Sequence, residues 1–150
     1  MSRPAGDGAG AARRKEEVTR FRVRYPEVDR MNVAHHMHYL AWFEMGRTEL
    51  MRAAGVPYGR VEEELGVRFP VVAAAARYRR SSRYDEELEV RTSLADFGGP
   101  RVRFEYRVLR PADDALLAEG FTVHASIGPD GRPHRIPAPL RDALARWEAS

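Results

Sequence analysis

From Val18 the chain alternates: Phe21, Val23 and Tyr25 are interleaved with Arg20, Arg22 and Arg24, the period-two pattern of a half-buried strand, which Pro26 stops. Past a loop of unusual composition, EVDRMNVAHH, the period lengthens. Apolar side chains recur at Tyr39, Leu40, Phe43, Leu50, Met51 and Ala54, the spacing of one helical face, and predict a helix from His36 to Ala54 closed by Gly55. Pro57 and Gly66 bracket a shorter helix, Tyr58 to Leu65. Four strands follow: Phe69 to Tyr78, Glu87 to Asp96, Arg101 to Leu109 and Leu117 to Ile127. They are separated by the turn-forming runs SSRYD, FGGP and RPADDA. The third is the clearest, with Val102, Phe104, Tyr106 and Val108 alternating against Arg101, Arg103, Glu105 and Arg107. A short helix from Pro139 to Trp147 ends the chain.

Strands joined by short turns pair antiparallel, and the early helix is the only element large enough to cover their apolar face. The expected architecture is therefore α+β, a curved antiparallel five-stranded sheet wrapped around a central long helix. The segment Met1 to Glu17 is small, polar and charged without an apolar period, so it is expected to be a disordered tail. Residues 18–150 then form a single domain. A chain of 150 residues with 43% apolar content can bury a core but leaves no room for a second catalytic domain.

Charge alters this picture little. The net charge is +3, and all but Lys15 of the 25 basic residues are arginine, a compositional bias that does not by itself call for nucleic acid. A nucleic-acid surface would interleave exposed aromatics with its arginines, whereas Phe104 and Tyr106 should point away from Arg103 and Arg107. The absence of cysteine removes disulfides, thiol nucleophiles and thiolate zinc sites. No apolar run approaches the roughly 18 to 20 residues of a membrane span, and no signal-peptide core is visible, so a cytoplasmic protein is expected.

The chemistry concentrates in YPEVDRMNVAHHMHY, between the first strand and the long helix. Asp29 precedes by seven residues His36, placed at the expected helix start, where unpaired N–H groups and the helix dipole stabilise an anion. A carboxylate facing such a helix end would combine a base or nucleophile with an oxyanion hole. On position alone, Asp29 reads first as a solvated turn residue or helix cap, and its neighbourhood is what raises the catalytic reading. The run His35, His36 and His38 invites a metal reading, but His124 and His134 lie far along the chain, and no metal is assigned. Ser126 in HASIG lacks the first glycine and the following helix of a nucleophile elbow. No phosphate loop or dinucleotide fingerprint is present.

The run RVRYPEVDRMNVAHHMHYLAWFEMGRTELMRAAG resembles the 4-hydroxybenzoyl-CoA thioesterase family of hotdog-fold proteins, especially its short bacterial acyl-CoA thioesterases. Tyr25, Asp29, His36, Tyr39, Phe43, Glu44, Arg47 and Glu49 fall on the family pattern. Asn32 stands in place of its glycine and His38 in place of its asparagine. The resemblance extends from about Val18 to Leu140. It implies hydrolysis of an acyl-CoA thioester without a cofactor. Asp29 would act as nucleophile or general base, His36 would assist, and the backbone N–H groups of His36 and Met37 would form the oxyanion hole. Tyr25, His38, Arg80, Arg83 and Arg101 become candidates for substrate binding, the arginines for CoA phosphates. A homodimer or homotetramer with its sites at subunit interfaces is also implied. An acyl carrier protein as the substrate donor and a non-catalytic acyl-CoA-binding role are the alternatives.

Overall fold

The computed structural model describes residues 14–150. Strand β1, Glu17–Arg22, is followed by a 3-10 turn at Tyr25–Glu27, helix α1 at His38–Ala53, and a short helix α2 at Tyr58–Arg60 that runs on into a π-helical turn, Val61–Leu65. Strands β2 (Val71–Tyr78), β3 (Glu87–Gly98), β4 (Arg101–Arg110) and β5 (Ala115–Ala125) come next, then helix α3, Ala138–Ala149. All strand pairs are antiparallel in the order β1-β3-β4-β5-β2, and α1 crosses one face of the sheet. This is the α+β architecture expected from the sequence.

Four details depart from the expectation. Residues 14–17 of the expected tail are ordered against the sheet and α3: Glu17 pairs with Thr92, Arg14 and Glu16 bind Glu105 and Arg107, and Lys15 reaches the Trp147 carbonyl. Residues 1–13 of that expected tail lie outside the described residues. β1 ends at Arg22, and Tyr25 opens a 3-10 turn, Tyr25–Glu27, with Pro26 as its second residue, instead of continuing the strand. Helix α1 starts at His38 rather than His36, after a turn in which the His38 N–H donates to the His35 carbonyl. Its buried face is Tyr39, Trp42, Phe43, Gly46, Leu50 and Met51, so Trp42 replaces Leu40, which is 43% exposed.

Two close approaches fix α1 on the sheet. At Gly46 any Cβ would collide with Thr92 Oγ1 and crowd Val90, so the helix backbone can rest directly on β3. One turn earlier, Phe43 stacks on Tyr106, with ring centroids 4.4 Å apart. Val102, Phe104, Tyr106 and Val108 are all buried beneath the helix, as their alternation predicts. A polar chain threads this core: Tyr106 Oη lies 2.5 Å from Thr122 Oγ1, which lies 2.9 Å from His124 Nε2, and His124 Nδ1 is 2.9 Å from the Phe69 carbonyl. A carbonyl only accepts, so Nδ1 carries the proton and Nε2 accepts from Thr122.

Candidate active site

Asp29 stands at the tip of a miniature hairpin. Val28 and Ala34 form an antiparallel bridge, the Asp29 N–H donates to the Val33 carbonyl, and the His35 N–H donates to the Glu27 carbonyl. The carboxylate closes the turn itself. Its Oδ1 accepts from the N–H groups of Met31 at 2.8 Å and Val33 at 3.2 Å, which leaves Oδ2 without a protein partner among the described residues. Asn32 adopts φ 59°, the left-handed conformation at which asparagine is an acceptable substitute for glycine. Its Oδ1 also accepts the Tyr84 N–H at 3.3 Å, a contact glycine could not make.

That contact is one of several joining the Asp29 loop to residues 78–86. The Ala34 N–H donates to the Ser82 carbonyl at 2.8 Å, and Tyr39 Oη meets Ser82 Oγ at 3.0 Å inside the core. Tyr25 is 75% exposed and packs edge-on against Tyr84 at 5.8 Å. Tyr78 donates its hydroxyl to the His36 carbonyl at 3.2 Å, while its ring packs edge-on to that of His36. These ties place Arg80 and Arg83 beside the Asp29 loop, and neither guanidinium pairs with a carboxylate among the described residues. Arg101 is elsewhere. It begins β4 at the opposite end of the sheet, about 30 Å along the strand from the end that carries the loop.

The expected oxyanion donors are in unequal states. The His36 N–H has no protein acceptor among the described residues, but the Met37 N–H donates to His35 Nδ1 at 3.3 Å. His36 itself is exposed and makes no hydrogen bond or ion pair with Asp29. His38 occupies the first position of α1, half-buried, with its ring edge-on to His35 at 6.3 Å.

Sequence reasoning passed over Glu27, Tyr78 and Ser82. Glu27 is 2% exposed and accepts from Trp42 Nε1 and the Arg24 N–H, both at 2.7 Å, with the Arg24 guanidinium beside it. Burial opposes its ionisation most strongly. The hydrogen bonds from Arg24 and Trp42 and the Arg24 charge together outweigh burial and hold the carboxyl below its usual range. A glutamate in a loop offers no sequence signal of this burial.

A family model for the thioesterase-like superfamily matches residues 23–147, which contain the Asp29 hairpin, α1 and strands β2 to β5. The chain belongs to the thioesterase-like superfamily. Among other members, a putative acyl-CoA thioesterase of Bacillus subtilis, YneP, is 36% identical over 95 residues, covering 63% of this chain and 68% of that one. A Thermus thermophilus protein described as hypothetical is 43% identical, with a TM-score of 0.80 over 87% of this chain and 98% of its own. The hotdog fold is also that of a 4-hydroxybenzoyl-CoA thioesterase variant crystallised with 4-hydroxybenzoyl-CoA. That structure has a TM-score of 0.78 over 86% of this chain and 98% of its own, at 18% identity. Superfamily membership and fold thus agree with the resemblance carried by the Tyr25–Glu49 motif.

Proposed function

We propose that this protein hydrolyses an acyl-CoA thioester to the free acid and CoA, with Asp29 as the catalytic carboxylate. One observation supports the role of Asp29 above all. Its Oδ1 is held by two backbone N–H groups, so the carboxylate has a fixed orientation while Oδ2 projects unpartnered from the hairpin tip. In the nucleophilic route Oδ2 attacks the thioester carbonyl, the CoA thiolate departs, and water cleaves the resulting anhydride. In the general-base route Oδ2 takes a proton from water, whose oxygen attacks instead. Both routes put negative charge on the carbonyl oxygen, for which the His36 N–H is the open donor and the Met37 N–H the second once His35 releases it. A thiolate leaves without a strong general acid.

Arg80 and Arg83 are suited to the CoA phosphates because planar guanidiniums bind such groups in bidentate fashion. Arg101 can serve only a site to which a second subunit brings the far end of its sheet. We further propose a homodimer or larger homo-oligomer, since Met31, Met37, Leu40, Tyr25 and Tyr84 leave the site's apolar walls open to solvent in one subunit. The same hydrolysis with an acyl carrier protein as donor is the second reading, which the exposed Arg80 and Arg83 also suit.

Thiol release from a panel of acyl-CoAs and acyl carrier proteins tests the activity. Wild type is expected to turn over at least one of them, and Asp29→Asn to lower kcat by roughly a hundredfold or more. No release from any donor would overturn the assignment, and full activity of Asp29→Asn would overturn the role of its carboxylate.

A further inference from the structure

We infer that Glu27 is a positioning residue for the reaction: its buried carboxylate ties the hairpin that carries Asp29 to the first turns of α1, which directly follow the proposed oxyanion donors His36 and Met37. The inference rests on the role proposed for Asp29. Reaction requires the carboxylate and the donors to straddle one carbonyl group, so the relative placement of hairpin and helix must be held to a fraction of an ångström. The hairpin's internal bonds hold only its own shape. Its connections to the rest of the molecule decide where Asp29 sits.

Glu27 makes that connection at the hairpin base. Its backbone carbonyl accepts the His35 N–H at 2.9 Å, closing the base, while its side chain accepts Trp42 Nε1 at 2.7 Å, one helical turn beyond His38. The other carboxylate oxygen takes the Arg24 N–H at 2.7 Å, so both oxygens are engaged. Trp42 cannot readily yield, because it is 1% exposed and packed between Phe21 at 5.0 Å and Tyr39 at 4.4 Å. One residue therefore joins strand exit, hairpin and helix. Charge-assisted bonds in a buried setting are short and directional, which is what a positioning contact needs. A glutamine of the same size presents an amide N–H₂ to one of the two donors and so breaks one tie.

The test is steady-state thiol release by Glu27→Gln and Trp42→Phe, each also in the Asp29→Asn background. The positioning role predicts a kcat roughly ten- to a hundredfold lower in either single variant, with KM changed little. It also predicts no further loss when either change is added to Asp29→Asn, since there is then no carboxylate to misplace. Trp42→Phe keeps an aromatic ring, though a smaller one, at that position and removes the donor, so a folded Trp42→Phe decides the matter if Glu27→Gln fails to fold. Unchanged kcat in a folded variant, or an equal loss in the Asp29→Asn background, would overturn the inference. A fully active Asp29→Asn would instead count against the role of Asp29 itself.

Discussion

His35 shows how one side chain can set the state of the proposed oxyanion site. Its Nδ1 accepts the Met37 N–H, and a hydrogen bond spent on a neighbour is not available to a carbonyl oxygen. The bond is long and exposed, so substrate can displace it at a small cost. His35→Ala removes the competitor, and kcat for thiol release is expected to rise a few-fold while KM stays within about a factor of two, given the net worth of roughly 1 kcal/mol for such a bond. A fall in kcat would assign His35 a supporting role instead. On the other side of the same peptide group, Tyr78 donates to the His36 carbonyl and holds the plane that carries the Met37 N–H.

Among the elements, β5 carries the most consequential buried polar residue. His124 is 1% exposed, and burial lowers its pKa, with the Arg47 charge acting in the same direction and the bond to the Phe69 carbonyl acting against them. An unfolded histidine takes up its proton near pH 6.5, whereas the folded one does so only at lower pH. Between those values the unfolded chain binds more protons, so folding stability is lost as pH falls through that window. The thermal midpoint is therefore expected to drop between about pH 7 and about pH 5, and His124→Gln to flatten that dependence while lowering the midpoint at pH 7. Circular-dichroism melts across the pH range check this. The anchored group matters for architecture, since the Phe69 carbonyl sits just before β2 and the Ala125 N–H binds the Pro70 carbonyl beside it.

At the scale of the molecule, the two free edges of the sheet are built differently. The β1 edge carries Arg20 and Arg22, paired with Glu89 and Glu87, charges that discourage another strand from docking. The β2 edge runs VVAAAA, uncharged and exposed from Val71 to Ala75. An unguarded edge of this kind favours pairing with a second copy, which would extend the sheet and bring a second subunit toward the open site. Ala74→Asp is expected to convert a dimer or larger assembly to monomer by light scattering and to abolish thiol release. A wild-type protein that is monomeric at micromolar concentration would refute the arrangement.

Much of the fold was legible in the sequence because burial there follows local period. β4 alternates every second residue, and each of its four predicted apolar residues is buried; α1 and β3 begin or end within two residues of their expected limits. The pattern misplaced the inner face of α1 by exchanging Leu40 for Trp42, since periodicity alone does not say which side of a wide apolar stripe meets the sheet. Asp29 and His36 were visible as a motif. Glu27 was not, because its burial depends on Trp42, 15 residues further on, and a loop glutamate is ordinarily solvated. The sequence by itself determined the elements, the antiparallel sense of strands joined by short turns and the place of the candidate loop around Asp29, all of which follow from local pattern. Only the tertiary structure decided the strand order β1-β3-β4-β5-β2, the separation of Arg101 from Arg80 and Arg83, and the buried ties around Asp29. Those depend on which distant segments pack together, a matter of long-range burial that no local pattern encodes.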